Sequence, residues 1–217
     1  MDFPLMSQSF HTGGDLDAYR TLGAHPAWED GREGYVFRTW APGAKWVEVI
    51  GEWNGWQGQP LYKNASGVWS GFCPGACKGQ MYKFRITGAD GVSRDKADPY
   101  AFRSELRPGT ASVLWDLAEV HIRDEGWMSG RDKCYDRPLN IYELHAGSWR
   151  RNPDGSWLNY AQLADQLVPY LKEMNFNFVE LLPLSEHPFD GSWGYQTSGY
   201  FSLTSRYGTP AQFGYFV

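Results

Sequence analysis

Three carboxylates gather around one apolar run. Glu180 lies inside Phe178–Pro183 (FVELLP), Glu186 follows it, and Asp190 opens the turn-like Asp190-Gly191-Ser192. Two carboxyls about 5 Å apart, one nucleophile and one proton donor, would suit retaining transfer at an acetal carbon. The same positions suit structural hydrogen bonding and a turn, and position alone leaves both roles open. Other chemistries find less support. No Ser-His-Asp order stands out, and the glycine-rich stretches Gly13-Gly14 and Gly71–Gly79 lack the phosphate-loop pattern. Cys73 and Cys77 have no second Cys/His pair at zinc-finger spacing, and with Cys134 the cysteines are odd in number. No metal and no cofactor are expected. The thiols read as reduced, which points to a cytoplasmic protein.

Aromatic side chains are the next resource. They form 17% of the 217 residues, and eleven are Trp. Flat rings fill an apolar β core, and they also stack on the C–H faces of sugars; composition does not choose between these uses. Charge excludes more. With a net charge of −5 and no Lys/Arg run, the chain is a poor partner for nucleic acid. No apolar run approaches the ~20 residues of a membrane span. The opening MDFPLMSQSFHTGG has no basic segment followed by an apolar one, so no secretory signal is expected.

The elements that must position these residues fall into two patterns. Gly34–Trp40 is β-branched and aromatic and is broken at Ala41-Pro42-Gly43. Lys45–Gly51 and Gln80–Thr87 alternate, with Val47 and Val49 on one face and Tyr82, Phe84 and Ile86 on another. Such short strands with Gly/Pro/Asn punctuation predict an antiparallel, all-β immunoglobulin-like sandwich. Beyond Pro138 the pattern changes. Asn140–His145 predicts a buried strand, Ala146–Leu158 a loop, and Asn159 the cap of a helix carrying Leu163, Leu167, Leu171 and Met174. Pro169 should kink or split that helix, and Asn175 should stop it in a left-handed conformation. Phe178–Pro183 then completes a βαβ unit. Thr209-Pro210 predicts another helix start, with Phe213, Phe216 and Val217 as its apolar face. Two parallel strands cannot cover themselves, so this second domain reads as incomplete. The expected organisation is a lead-in over 1–30, the sandwich over 31–118, a linker over 119–137 and the second domain over 138–217.

The segments FHTGGDLDAYRTLGAHP, VEVIGEWNGW…YKFRITG, DPYA and NIYELHAGSW, and above all YLKEMNFNFVELLPLSEHPFDGSWGYQTSGYFSLTSRYGTPAQF, resemble the 1,4-alpha-glucan (glycogen) branching enzymes. The sandwich resembles a family 48 carbohydrate-binding module. The remainder resembles the first βα units of the (β/α)8 TIM barrel of the alpha-amylase superfamily, glycoside hydrolase family 13. A whole barrel needs about 250 residues, and 138–217 provides roughly two of its eight βα units. The resemblance implies an enzyme that cleaves α-1,4 links, holds the chain covalently and transfers it to a 6-hydroxyl. It places the catalytic aspartates and glutamate after later strands, whose motifs are not found here. Glu180, Glu186 and Asp190 are then structural, no catalytic residue is expected, and the chain alone should be inactive.

Resemblance also supplies the site residues. Tyr195 should stack on the glucose whose linkage is broken, with Trp193 and Gln196 beside it. Trp56 and Lys83 match positions that hold glucan in related modules, one by stacking and one by hydrogen bonding. Trp53 and Trp69 are expected to be core or interdomain contacts, His145 and Ser148 scaffolding, and His187, before Pro188, a loop-fixing residue. The implied partner is an α-glucan such as glycogen or a starch-like polysaccharide, with no nucleic acid or membrane partner, and the chain a monomer. The alternative is a non-catalytic glucan-binding fragment.

Overall fold

Alternation builds the first part of the molecule. A computed structural model describes residues 5–132 and 136–217. Its contacts divide into two units, one reaching to Asp116 and including Gly199–Ser202, the other holding 117–198 and 203–217. In the first unit the helix α1 (Gln8–His11), capped by the Ser7 side chain, precedes ten strands. They are β1 (Gly23–Glu29), β2 (Arg32–Trp40), β3 (Trp46–Gly51), β4 (Gln59–Pro60), β5 (Tyr62–Lys63), β6 (Val68–Pro74), β7 (Met81–Thr87), β8 (Ser93–Lys96), β9 (Arg103–Ser104) and β10 (Ser112–Val113). One antiparallel sheet runs β1-β2-β6-β5. The other runs β9-β10-β7-β3-β4, with β8 on β7.

The core lies between these sheets. Tyr35 and Phe37 of β2 and Trp69 and Cys73 of β6 pack with Val47 and Val49 of β3 and Tyr82 and Phe84 of β7. Period two decides which residues enter. Ile50 is a departure: it is fully buried, although it lies on the face opposite Val49 and outside that cluster. Cys73 and Cys77 are free, and burial pushes the Cys73 thiol up to about 12; Cys134 lies outside the described residues.

The expected lead-in over 1–30 is more structured than its sequence suggests. β1 pairs along its whole length with β2. Pro26 concealed it, yet a sheet edge tolerates a residue with no N–H to donate. Ahead of β1, Ala18 and Leu22 pack with Val68, Met6, Phe10 and Tyr100 in a small second cluster.

In the second unit, α2 (Glu125–Gly130) lies within the expected linker, and α3 (Ala146–Trp149) forms where a loop was expected. β11 (Ile141–Leu144) and β12 (Phe178–Leu181) pair in parallel, joined through α4 (Tyr160–Glu173). Asn159 caps α4 by accepting from the Gln162 amide, while Gln162 returns a bond to the Asn159 amide. Pro169 does not split this helix. The carbonyl it orphans, at Asp165, belongs to an exposed residue, so water can satisfy it. Asn175 takes φ 58°, the left-handed stop. Met174 departs from the apolar stripe: it is the C-cap and is exposed.

After β12 come β13 (Ser185–Glu186) and β14 (Gly199–Leu203). β14 lies beside β9 in the first unit's sheet, with Ser202 Oγ 2.9 Å from Ser104 Oγ. α5 (Pro210–Phe216) is capped by Thr209. Phe213 and Phe216 pack on the second core of Leu144, Leu158, Tyr160, Leu163, Leu167 and Tyr207. Val217, expected on that face, is exposed. Among the described residues no helix is long and apolar enough to cross a membrane.

Candidate functional site

Strand ends position the second unit's site. A cleft of about 170 Å³ opens where β11 and β12 finish, lined among others by His145, Trp193, Asp190, His187 and Arg206. His145 is the first residue past β11, and its Nδ1 lies 3.1 Å from Ser148 Oγ. Burial, then the neighbouring His187 and two arginines, lowers the pKa of His145. His187 is buried and its Nδ1–H donates to the Ser185 carbonyl at 2.9 Å, which fixes the loop before Pro188.

Arg206 organises the cleft. Its guanidinium donates to Glu186 Oε1 at 2.9 Å and to Asp190 Oδ1 at 2.8 Å. Glu186 also accepts from the Ser205 amide and hydroxyl at 2.8 and 2.7 Å. This carboxylate is buried with its acceptor capacity largely filled, the environment of a structural ion pair. Glu180 is exposed on β12 opposite Glu143, a different environment from that of Glu186. Sequence reasoning weighed Glu186 and Asp190 but passed over Arg206. A lone arginine between Ser205 and Tyr207, downstream of two unmatched carboxylates, was the available signal.

The three residues expected to meet substrate sit between β13 and β14. Trp193 has φ 54°, is 59% exposed and lines the cleft. Gly194 follows with φ 92°, and a β-carbon there would collide with the Pro183 carbonyl. Tyr195 is 70% exposed and Gln196 is exposed, both outside the cleft lining. Among the described residues no group of three or more His, Cys, Asp or Glu is arranged to hold a metal ion.

The other candidates belong to the sandwich. Trp56, partly exposed with φ 61°, closes the turn after β3 through its amide bond to the Gly51 carbonyl at 2.8 Å. Gly51 is opposite Tyr82 and Ile50 opposite Lys83, so Trp56 is anchored next to the Lys83 register position. Lys83 lies on the non-core face of β7, and its Nζ donates to Thr110 Oγ1 at 2.7 Å. Trp53 and Trp69 serve the core: Trp53 stacks on Phe37 at 5.1 Å, and Trp69 is buried with its indole N–H on the Ala41 carbonyl.

Residues 21–101 match carbohydrate-binding module 48, the isoamylase N-terminal domain. The matched stretch lies within the first unit and takes in β1 to β8 of the sandwich. Over 213 residues the chain is 48% identical to the 1,4-alpha-glucan branching enzyme of Halothermothrix orenii, covering 96% of this chain and 34% of that enzyme. It is 49% identical over 216 residues to the same enzyme of Nitratidesulfovibrio vulgaris, again with 96% and 34% covered. The chain spans about a third of the length of these relatives, their N-terminal third. In fold it is similar to an alpha amylase of Salmonella typhimurium described as putative (TM-score 0.68, 24% identity, 91% of this chain and 30% of that one). It is also similar to a pullulanase of Bacillus acidopullulyticus (TM-score 0.65, 21% identity, 90% and 27%).

Proposed function

We propose that this chain is the N-terminal part of a 1,4-alpha-glucan branching enzyme: an α-glucan-binding sandwich over 31–118, a linker over 119–137, and from 138 the opening βα units of a (β/α)8 barrel. Identity of 48% over nearly the whole chain carries the reading. The parallel pair β11–β12 with α4 between them supports the barrel assignment. On this reading Trp56 and Lys83 hold glucan in the module. Trp193, Tyr195 and Gln196, at the C-terminal side of β12 where barrel sites are built, meet the chain being transferred. The whole enzyme would cut an α-1,4 link and rejoin it at a 6-hydroxyl in glycogen synthesis, as a cytoplasmic monomer. The carboxylates of that chemistry would lie outside these 217 residues.

Two assays test this. The purified chain should co-sediment with glycogen, and Trp56→Ala or Lys83→Ala should weaken that binding by about tenfold, the scale of one lost aromatic or charged contact. Absence of co-sedimentation would remove the binding assignment. Amylose incubated with the chain alone should keep its iodine colour; branch formation would place catalysis within these residues and contradict the reading.

A further inference from the structure

The four-stranded sheet has an outer face that the proposed function does not use. Inter-strand register identifies its residues. Phe37 and Tyr35 point into the core, so Val36 and Arg38 lie on the other face with their partners Phe72 and Ser70 on β6. There Val36 is buried and Arg38 donates to the Thr21 carbonyl at 3.3 Å, which leaves the part of the face around Phe72 and Tyr62 open. Tyr62 of β5 pairs with Ser70, and Glu29 of β1 pairs with Arg32 of β2. A groove of about 860 Å³ crosses this face, lined among others by Glu29, Arg32, Gln59, Tyr62, Asn64 and Phe72. Its volume lies in the range of small-ligand sites, roughly 300–1,000 Å³.

Its chemistry is mixed in a specific way. Tyr62 offers a ring that is 77% exposed. Around it stand two acidic residues, Glu29 and Asp30, and two basic ones, Arg32 and Lys63, so opposite charges balance and neither a polyanion nor a cation is favoured. Two lining residues also carry an unmet hydrogen-bonding atom. Asn64 Oδ1 accepts from the Ser66 and Val68 amides, both at 3.0 Å, which leaves Nδ2 as the free end. Nδ2 and Glu29 Oε2 are withdrawn from solvent with no hydrogen-bond partner, although the Glu29 charge also acts on Arg38. Such atoms are costly to leave unpaired, so a ligand that supplied a partner to either would be favoured. A neutral ligand with an apolar face and a rim of hydroxyls, each both donor and acceptor, fits this set.

We infer that this groove is a second α-glucan site, on the sheet opposite the one that carries Lys83, with Tyr62 as its stacking platform. The glucan identity of the ligand rests on the proposed function; the groove itself does not. Two sites facing opposite ways would let one module engage two glucan chains, or two stretches of one, and bind a polymer more tightly than a short oligosaccharide.

Titration calorimetry of the full chain with a linear α-1,4 heptasaccharide tests the inference. The expected result is two sites per wild-type chain and one in Tyr62→Ala. Trp56→Ala also leaves one, the double variant binds nothing, and Tyr62→Trp restores the second site. Tyr62 is exposed, so its removal leaves the core intact, and an unchanged far-UV circular dichroism spectrum checks this. One wild-type site that Tyr62→Ala leaves intact and Trp56→Ala abolishes would overturn the groove and leave the proposed function standing. No wild-type binding at all would overturn both.

Discussion

Two buried polar pairs show what single residues contribute. The Asp98 carboxyl accepts from the Tyr82 hydroxyl at 2.6 Å and from the Tyr100 amide at 2.8 Å. Desolvation outweighs these bonds and raises Asp98 to about 6. An unfolded aspartate titrates near ~3.9, so between the two values the folded chain holds a proton that the unfolded chain has lost. This contribution to stability is full below about pH 4 and falls, by on the order of 3 kcal/mol, as pH rises toward 6. Asp98→Asn should flatten that part of the curve, read from urea midpoints at several pH values; a variant retaining the wild-type fall would refute the assignment. In the second unit, Arg206→Met would strand the buried Glu186 carboxylate, whose ion pair has side chains only 2% and 10% exposed. A loss of about 3 kcal/mol is expected in denaturant titrations, and unchanged stability would show the pair to be dispensable. The motif at Asp98–Ala101 was legible only as part of a resemblance. Its partner Tyr82 was legible only as a core residue, because the hydroxyl's target depends on folding.

Elements were most legible where one local rule acted alone. Period-two alternation found β3 and β7 because a half-buried strand must alternate. Asn159 and Thr209 announced α4 and α5 because a helix start needs an acceptor for its free amides. β1 and β14 were missed for different reasons. Pro26 masks β1, while β14 is a strand through pairing with β9, a partner about a hundred residues away in sequence. At Pro169 the helix runs on unsplit, held by the packing of Leu163 and Leu167 and by the exposure of the orphaned carbonyl. The helix still carries its cost, so Pro169→Ala should stabilise the chain by roughly 2 kcal/mol, less than the ~3 kcal/mol interior penalty because the unfolded state also gains freedom. A lower melting temperature for this variant would mean that the proline is required where it stands.

At the scale of the molecule, the two units differ in how well they cover themselves. The sandwich encloses its core between two sheets. β11 and β12 form a two-stranded parallel sheet that leaves Ile141, Phe178 and Val179 between 41% and 50% exposed. Parallel sheets are ordinarily covered on both faces, and on the proposed reading further barrel strands and helices would do this. The candidate site divides in the same way. Trp56 and Lys83 entered through resemblance, and only their neighbouring register on β3 and β7 follows from local pattern. Arg206, by contrast, joins Glu186 of β13 and Asp190 just beyond it across about twenty residues, and that cluster emerges only on folding. The central claim is that the sandwich binds α-glucan, and native electrophoresis of the wild-type chain through gels containing glycogen, an equal mass of dextran, or no polymer tests it most directly. Marked retardation in glycogen alone is the predicted result; equal mobility in all three gels would contradict the account.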